Sequence, residues 1–257
     1  MTNGKFRAKI SAIVIGKNVG DKLLGCLSSL QWVDDLVYVD TGSEDASLEI
    51  AKNNGAAVFT YKKGGYSDWR NKGLKVARGE WILYVDTDEI VPPQLRGEIL
   101  HSIQRNDGCC AFAIPRKNII FGKEMKHCGL WPDYVKRLFL KSKLKKWQGE
   151  IHEEPVYEGK MNHLENPLMH YKHDNLSEML EKTNKWSEIE ARLMYEASHP
   201  KMNEIRFTTA IMREFWLRII RQTSFLDGRE GVIYGLYQVF SRFLSYAKLW
   251  EMQLKTK

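Results

Sequence analysis

Cysteine is scarce in this chain, with four in 257 residues, and none of the four stands at a metal-site spacing. Cys26, Cys109, Cys110 and Cys128 therefore read as reduced thiols. The adjacent pair is badly placed to bridge itself without strain. No window of 18 uninterrupted apolar residues occurs, which excludes a membrane-spanning helix by the usual length criterion. The charged opening Met1–Lys9 is not followed by an apolar run of signal-peptide form, so the reading expects a cytoplasmic protein. Internal repeats and low-complexity tracts are lacking as well. So is a glycine-rich phosphate loop after the first strand-like run, which counts against a nucleotidyltransferase. Acidic charge is in deficit, leaving a formal net charge of +7 and favouring an anionic partner. No nucleic-acid module accompanies that charge, so nucleic acid is not expected as the partner.

What is present is an alternation of short apolar runs and helical spacings. Residues 8–15 (AKISAIVI), 35–39 (DLVYV), 56–60 (AAVFT) and 81–85 (WILYV) read as buried parallel strands. Helical patterns lie between them at 19–30, from Ser43 to Gly55 with Ser43 as the cap, and at 67–77. This βαβαβαβ order predicts an α/β fold with a mostly parallel, Rossmann-like sheet flanked by helices. Residues 106–173 are richer in strand and turn signals. Separate strands are expected at 110–115, 118–121 and 135–140. From about 176 the pattern turns helical, with an apolar stripe through Phe207, Ile211, Phe215 and Ile219 and another through Val232, Leu236, Val239 and Phe243. The expected organisation is a catalytic domain at 1–175, its donor half ending near 105 and its acceptor half covering 106–175. A helical extension occupies 176–257.

Ligands of open α/β sheets bind at the carboxyl ends of the strands. Two of the predicted strands end in acids, Asp40 and Asp86, and the second is followed by Thr87, Asp88 and Glu89. Three carboxylates within four residues repel one another unless a cation offsets them. Such oxygen ligands suit Mg2+ or Mn2+ held together with substrate phosphates. Arg70 and Asn71 stand on the third helix, where a forked guanidinium can pair with a diphosphate.

The ordered segments SAIVIGKN, LVYVDTGSEDAS, SDWRNKGLKVARGEWILYVDTDEIV and WQGEIHEEP resemble family 2 glycosyltransferases of the GT-A fold. Within that family the chain resembles the bacterial lipopolysaccharide core glucosyltransferase group. The likeness covers about residues 8–175 and continues through FLDGREGVIYGLYQVFSRFLSYAKLWE. It implies an inverting transfer of a sugar, glucose from UDP-glucose, to a lipopolysaccharide core or other glycolipid or saccharide acceptor. Lys17 and Asn18 would border the nucleotide, Asp40 would accept from the uracil and Arg70 would approach the base or diphosphate. Asp86 would meet the ribose or the metal's water shell, and Asp88 would bind the divalent metal with His170. Glu153 would be the general base, with His152 orienting it and Asp133 the second candidate. Thr87 departs slightly from the family's usual D-A-D-E or D-S-D-E. The alternative is a non-catalytic relative or another nucleotide-diphosphate transferase on a related fold.

The tail adds a further expectation. Residues 201–257 hold ten Lys or Arg against five Asp or Glu, and the basic residues accompany aromatic stripes. A basic amphipathic helix can lie on an anionic membrane, which points to the inner face of the bacterial inner membrane.

Overall fold

The structure, a computed structural model, describes residues 9–105, 108–150 and 153–255. The chain forms two compact units. The first takes in the chain up to Arg116 together with Tyr134–His170; the second comprises Lys117–Asp133 and the residues from Tyr171 onward.

In chain order the first unit opens with β1 (Ile10–Gly16), α1 (Gly20–Ser28), β2 (Asp35–Asp40), α2 (Ser47–Asn53), β3 (Ala57–Thr60), α3 (Tyr66–Val76) and β4 (Trp81–Asp86). β1 pairs in parallel with both β2 and β4, and β2 with β3, so the predicted βαβαβαβ unit is present. The chain goes on through β5 (Glu89–Ile90), α4 (Pro93–Gln104), β6 (Cys109–Ile120), β7 (Lys123–Glu124), β8 (Asp133–Leu140), β9 (Leu144–Gln148), β10 (Glu154–Tyr157), β11 (Lys160–His163) and β12 (Leu168–His173). The large sheet has the order β3-β2-β1-β4-β8-β6-β12-β5, and β9 and β10 form a separate ladder. The sheet is mixed: β8 runs antiparallel to β4, and β12 antiparallel to β5.

Alternation along the strands divides the core in two. Ile10, Ala12 and Val14 of β1 join Trp81, Leu83 and Val85 of β4 on one face, beneath α1 and α4. Ile13, Ile15, Ile82 and Tyr84 face the other way, toward Leu74 and Ala77 at the end of α3 and Trp147 of β9. Gly73 permits that approach, because a Cβ there would stand 2.6 Å from Ile13 Cγ2. Ahead of the site, Asp35 anchors the starts of β2 and β4. It accepts from Ser11 Oγ at 2.7 Å and from Arg78 Nη2 at 2.6 Å. Burial works against its charge, but these donors outweigh it and hold the carboxyl below its ordinary range.

Two local expectations need correction. Ser43 does not cap α2; its hydroxyl accepts from the Asn18 N–H at 3.0 Å, and the helix starts four residues later. The strands expected at 110–115 and 118–121 are one continuous strand, β6, which carries Pro115 within it.

The second unit contains α5 (Leu176–Glu196), α6 (Glu204–Phe215) and α7 (Gly228–Lys255). α6 runs into a π-helical turn, Trp216–Arg221, and a 3-10 turn, Ser224–Asp227, leads into α7. Asn175 and Asn203 cap α5 and α6 by accepting the N–H of Glu178 and Arg206. No helix among the described residues is long and apolar enough to cross a membrane.

Candidate active site at the end of β4

β4 delivers Asp86 to the carboxyl edge of the sheet, its side chain 38% exposed. Two arginines hold it. Both Nη atoms of Arg137, on the neighbouring strand β8, donate to its carboxylate, Nη1 at 3.2 Å. Arg70 Nη2, from α3, donates at 3.3 Å. Glu89, wholly buried, accepts from Arg137 Nη2 at 2.7 Å and lies 3.5 Å from Arg116 Nη1. Its other oxygen receives the Asp86 N–H at 2.9 Å and closes the turn. Burial opposes ionisation of Asp86, yet the charges of Arg137 and Arg70 keep its carboxyl far below the ordinary carboxylate range. Below the turn, Cys26 Sγ donates to the Asp86 carbonyl at 3.4 Å. Burial and the acids nearby push that thiol well up, so it stays protonated.

The acidic cluster is thus neutralised by the protein itself. Three adjacent acids demanded a cation to offset them; for Asp86 and Glu89 that cation is guanidinium. Arg116 and Arg137 were not anticipated. Both come from strands whose register against β4 is invisible in the sequence, and the only hint was an arginine in the apolar run VKRLFL.

Asp88 has different company. The short antiparallel pairing of β5 with β12 sets His170 opposite Glu89. His170 Nε2 then lies 3.6 Å from Asp88 Oδ2, the imidazole being largely buried. One carboxylate oxygen and one imidazole nitrogen, converging at a strand end, form a donor pair suited to a first-row divalent ion. Among the described residues no third His, Cys, Asp or Glu joins them in a metal-binding group. An ion there would draw its remaining ligands from substrate oxygens and water, the usual habit of Mg2+ and Mn2+ at phosphate sites.

Arg70 is fixed from below. Its guanidinium carbon lies 4.7 Å from the centre of the Trp147 ring and 5.5 Å from that of Tyr84. Asn71 secures Trp147: its Nδ2 donates to the Trp147 carbonyl at 2.9 Å and its Oδ1 accepts the Trp147 N–H at 2.8 Å. Both ends of the Asn71 amide are therefore engaged with β9.

Arg70 and Trp147 wall a cleft of about 420 Å³ together with Asp86, Arg116, Arg137, Glu153 and further residues of β8 and β10. Tyr66 at the start of α3 was also missed. Burial, and then the charges of Asp86 and Glu153, push its phenol up.

The other expected residues are placed as follows. Asp40 is wholly buried, and its two oxygens accept the N–H groups of Gly42 and Ser43 at 3.0 Å each. Lys17 is exposed. Asn18 has a left-handed backbone (φ 52°), and its side chain accepts the Glu44 N–H at 2.8 Å, tying the loop after β1 to the loop after β2. Asp133 belongs to the second unit, where Asn118 Nδ2 donates to it at 3.0 Å. His152 lies outside the described residues.

The family description "Glycosyl transferase family 2" matches residues 11–175. The chain belongs to this family. It is a glycosyltransferase, as the resemblance implied. An uncharacterised glycosyltransferase of Rickettsia felis is 26% identical over 261 residues, spanning 97% of this chain and 92% of that protein. The lipopolysaccharide core biosynthesis glycosyltransferase LpsC of Rhizobium meliloti is 24% identical over 256 residues, spanning 94% and 92%. Among solved structures, the mannosyltransferase PcManGT of Pyrobaculum calidifontis, in complex with GDP-Man and Mn2+, aligns with a TM-score of 0.57 at 11% identity, covering 96% of this chain and 88% of that one. Mannosyl-3-phosphoglycerate synthase of Rubrobacter xylanophilus aligns at 0.51 with 17% identity, covering 76% of each. At these identities the structural likeness establishes the GT-A fold.

Proposed function

We propose that this family 2 glycosyltransferase moves a sugar from a nucleoside-diphosphate donor, UDP-glucose, to a hydroxyl of a lipopolysaccharide core or related glycolipid, with inversion. The observation that carries the reading is the division of labour at the end of β4. Arginines hold Asp86, while Asp88 stands beside His170. LpsC, named for lipopolysaccharide core biosynthesis, supports the acceptor class, and the GDP-Man and Mn2+ of PcManGT support the donor class and the metal.

Asp88 and His170 would hold a divalent ion, Mn2+ or Mg2+, which supplies charge neutralisation at the diphosphate when bound. Arg70, Arg116 and Arg137 line the cleft beside the two carboxylates they contact, Asp86 and Glu89. Their guanidinium donors face the negative charge growing on the departing diphosphate and are fixed in place before reaction. Arg70, seated on Trp147, keeps its fork in one orientation toward the cleft. Glu153 takes the proton of the acceptor hydroxyl as that oxygen attacks the anomeric carbon. Asp86 meets the ribose. Asp40 acts through its turn, holding Gly42 and Ser43 where Lys17 and Asn18 border the nucleoside. The acceptor's lipid nature places the protein at the inner face of the bacterial inner membrane.

The test is release of UDP from UDP-glucose with Mn2+ present, scanned against other nucleotide sugars. Asp88→Asn is expected to reduce turnover by roughly a hundredfold or more while leaving folding intact. Unchanged turnover in Asp88→Asn, or turnover indifferent to chelation, would remove the metal from the reading.

A further inference from the structure

α6 packs on the core through Phe207, against Phe243 and Trp250, and Glu214 is its one buried residue. Its exposed positions sort by type. Ile205 and Met212 of α6, and Trp216 at the start of the π-helical turn that follows, are 76%, 62% and 52% exposed and recur at intervals of seven and four, along one stripe. Arg206, Thr209 and Arg213 form the next stripe round. They line a groove of about 410 Å³ whose other wall includes His199 and Tyr246. Arg242 extends the basic character, its guanidinium 5.9 Å from the Tyr246 ring centre. Among the described residues no acid lines the groove. Solvent alone does not account for three large apolar side chains standing outward beside paired arginines.

We propose that this face of the second unit is an anionic-bilayer docking surface. Ile205, Met212 and Trp216 enter the headgroup–acyl boundary, and the groove between Arg206 and Arg213 receives a lipid phosphate. The inference rests on the glycolipid-acceptor reading above and adds the surface and the chemistry it recognises. Charge decides between a membrane and a second copy of the chain. A second copy placed groove to groove would bring no acid to Arg206 or Arg213, because none lines the groove among the described residues. A bilayer carrying phosphate supplies the missing negative charge, and each arginine near such a surface adds to binding. A tryptophan beside cations is also the composition of interfacial helices.

Co-sedimentation of the full chain with vesicles tests the proposal. Wild type is expected to sediment with vesicles of equal parts phosphatidylglycerol and phosphatidylcholine, and not with phosphatidylcholine alone. Arg206→Glu with Arg213→Glu should weaken the partition by about 30-fold or more, from roughly fivefold per cation removed. Met212→Glu with Trp216→Glu should abolish it. Trp216→Phe should retain binding while losing the lipid-dependent part of the quenching by brominated acyl chains. Soluble inorganic phosphate competing away vesicle binding at millimolar concentration would mark a free-phosphate site and overturn the bilayer assignment. So would equal sedimentation of the glutamate variants and wild type, or a concentration-dependent dimer that the same substitutions dissolve. UDP release from UDP-glucose, with water as acceptor, is measured on the same samples. Its loss in wild type with vesicle binding intact would sink the donor reading and leave the docking surface standing.

Discussion

The tetrapeptide Tyr-Val-Asp-Thr occurs twice, at residues 38–41 and 84–87, each time closing a buried parallel strand next to β1. The two aspartates have opposite fates. Asp40 is wholly enclosed and is satisfied by the N–H groups of Gly42 and Ser43 in its own turn. Asp86 opens on a cleft and is satisfied by Arg70, from the helix just before its strand, and by Arg137, from a strand 51 residues on. The difference lies in the residues just beyond each tetrapeptide. Gly42, at φ 106°, lets the chain fold back so that backbone donors reach the carboxylate. After Asp86 come Asp88 and Glu89, the turn is closed by the Glu89 side chain, and the balancing charge must come from elsewhere. Identical strand ends therefore become a loop anchor in one place and an electrostatic site in the other.

Removing the distant cation breaks the contrast most severely. Arg137→Met leaves Asp86 short of a partner and Glu89 buried beside Arg116 alone. A loss of about 3–5 kcal/mol in denaturant unfolding is expected. Adding Glu89→Gln should recover part of it; a shift under about 1 kcal/mol in Arg137→Met would mean that the pair is not holding the site. Glu153→Gln addresses the cleft without the scaffold. Its turnover should fall about a hundredfold or more with KM for the donor little changed, read by UDP release with acceptor present. Asp40→Asn addresses the other strand end. One backbone donor loses its acceptor, at a cost of about 1–3 kcal/mol, and KM for the nucleotide sugar should rise more than kcat falls.

Asp35 gives the smallest effect and serves as the control, because it opens β2 instead of closing it. Its folded carboxyl titrates below its unfolded value, so its contribution is complete above the unfolded pKa. It is lost as pH falls through the depressed one, below about pH 4. Asp35→Asn should lose about 1–2 kcal/mol at neutral pH and approach wild type in acid, followed by thermal melts across that window. Turnover per folded molecule should not move.

These contrasts also mark what could be read in advance. β1 to β4 were legible because buried parallel strands are continuous apolar runs, and the acids at their ends announced the ligand edge. Asp88 and His170 could be named from family resemblance, but nothing in the sequence says that β5 and β12 pair and bring them to 3.6 Å. Arg137 and Arg116 escaped because an arginine in a strand reads as an outward-facing residue until the strand's neighbours are known. Ser43 was misread because a serine before a helical pattern has the look of a cap, whereas here its hydroxyl serves the loop after β1. The tail's stripes were visible in outline. That Phe207 of the expected stripe packs on Phe243 and Trp250 while Ile205 and Met212 turn outward required a structure.

The edge strand β5 is joined to β12 by two residue pairs, Met169 with Ile90 and His170 with Glu89, whereas β12 is also held by β6. So short a ladder has little to resist fraying, and release of β5 would carry Asp88 away from the imidazole. Assembly of the Asp88–His170 pair is thus a local equilibrium, separate from the folding of the sheet behind it. Amides at 89–90 should exchange with solvent well before those of β1 and β4, and a ligand that bridges the two side chains should slow that exchange first.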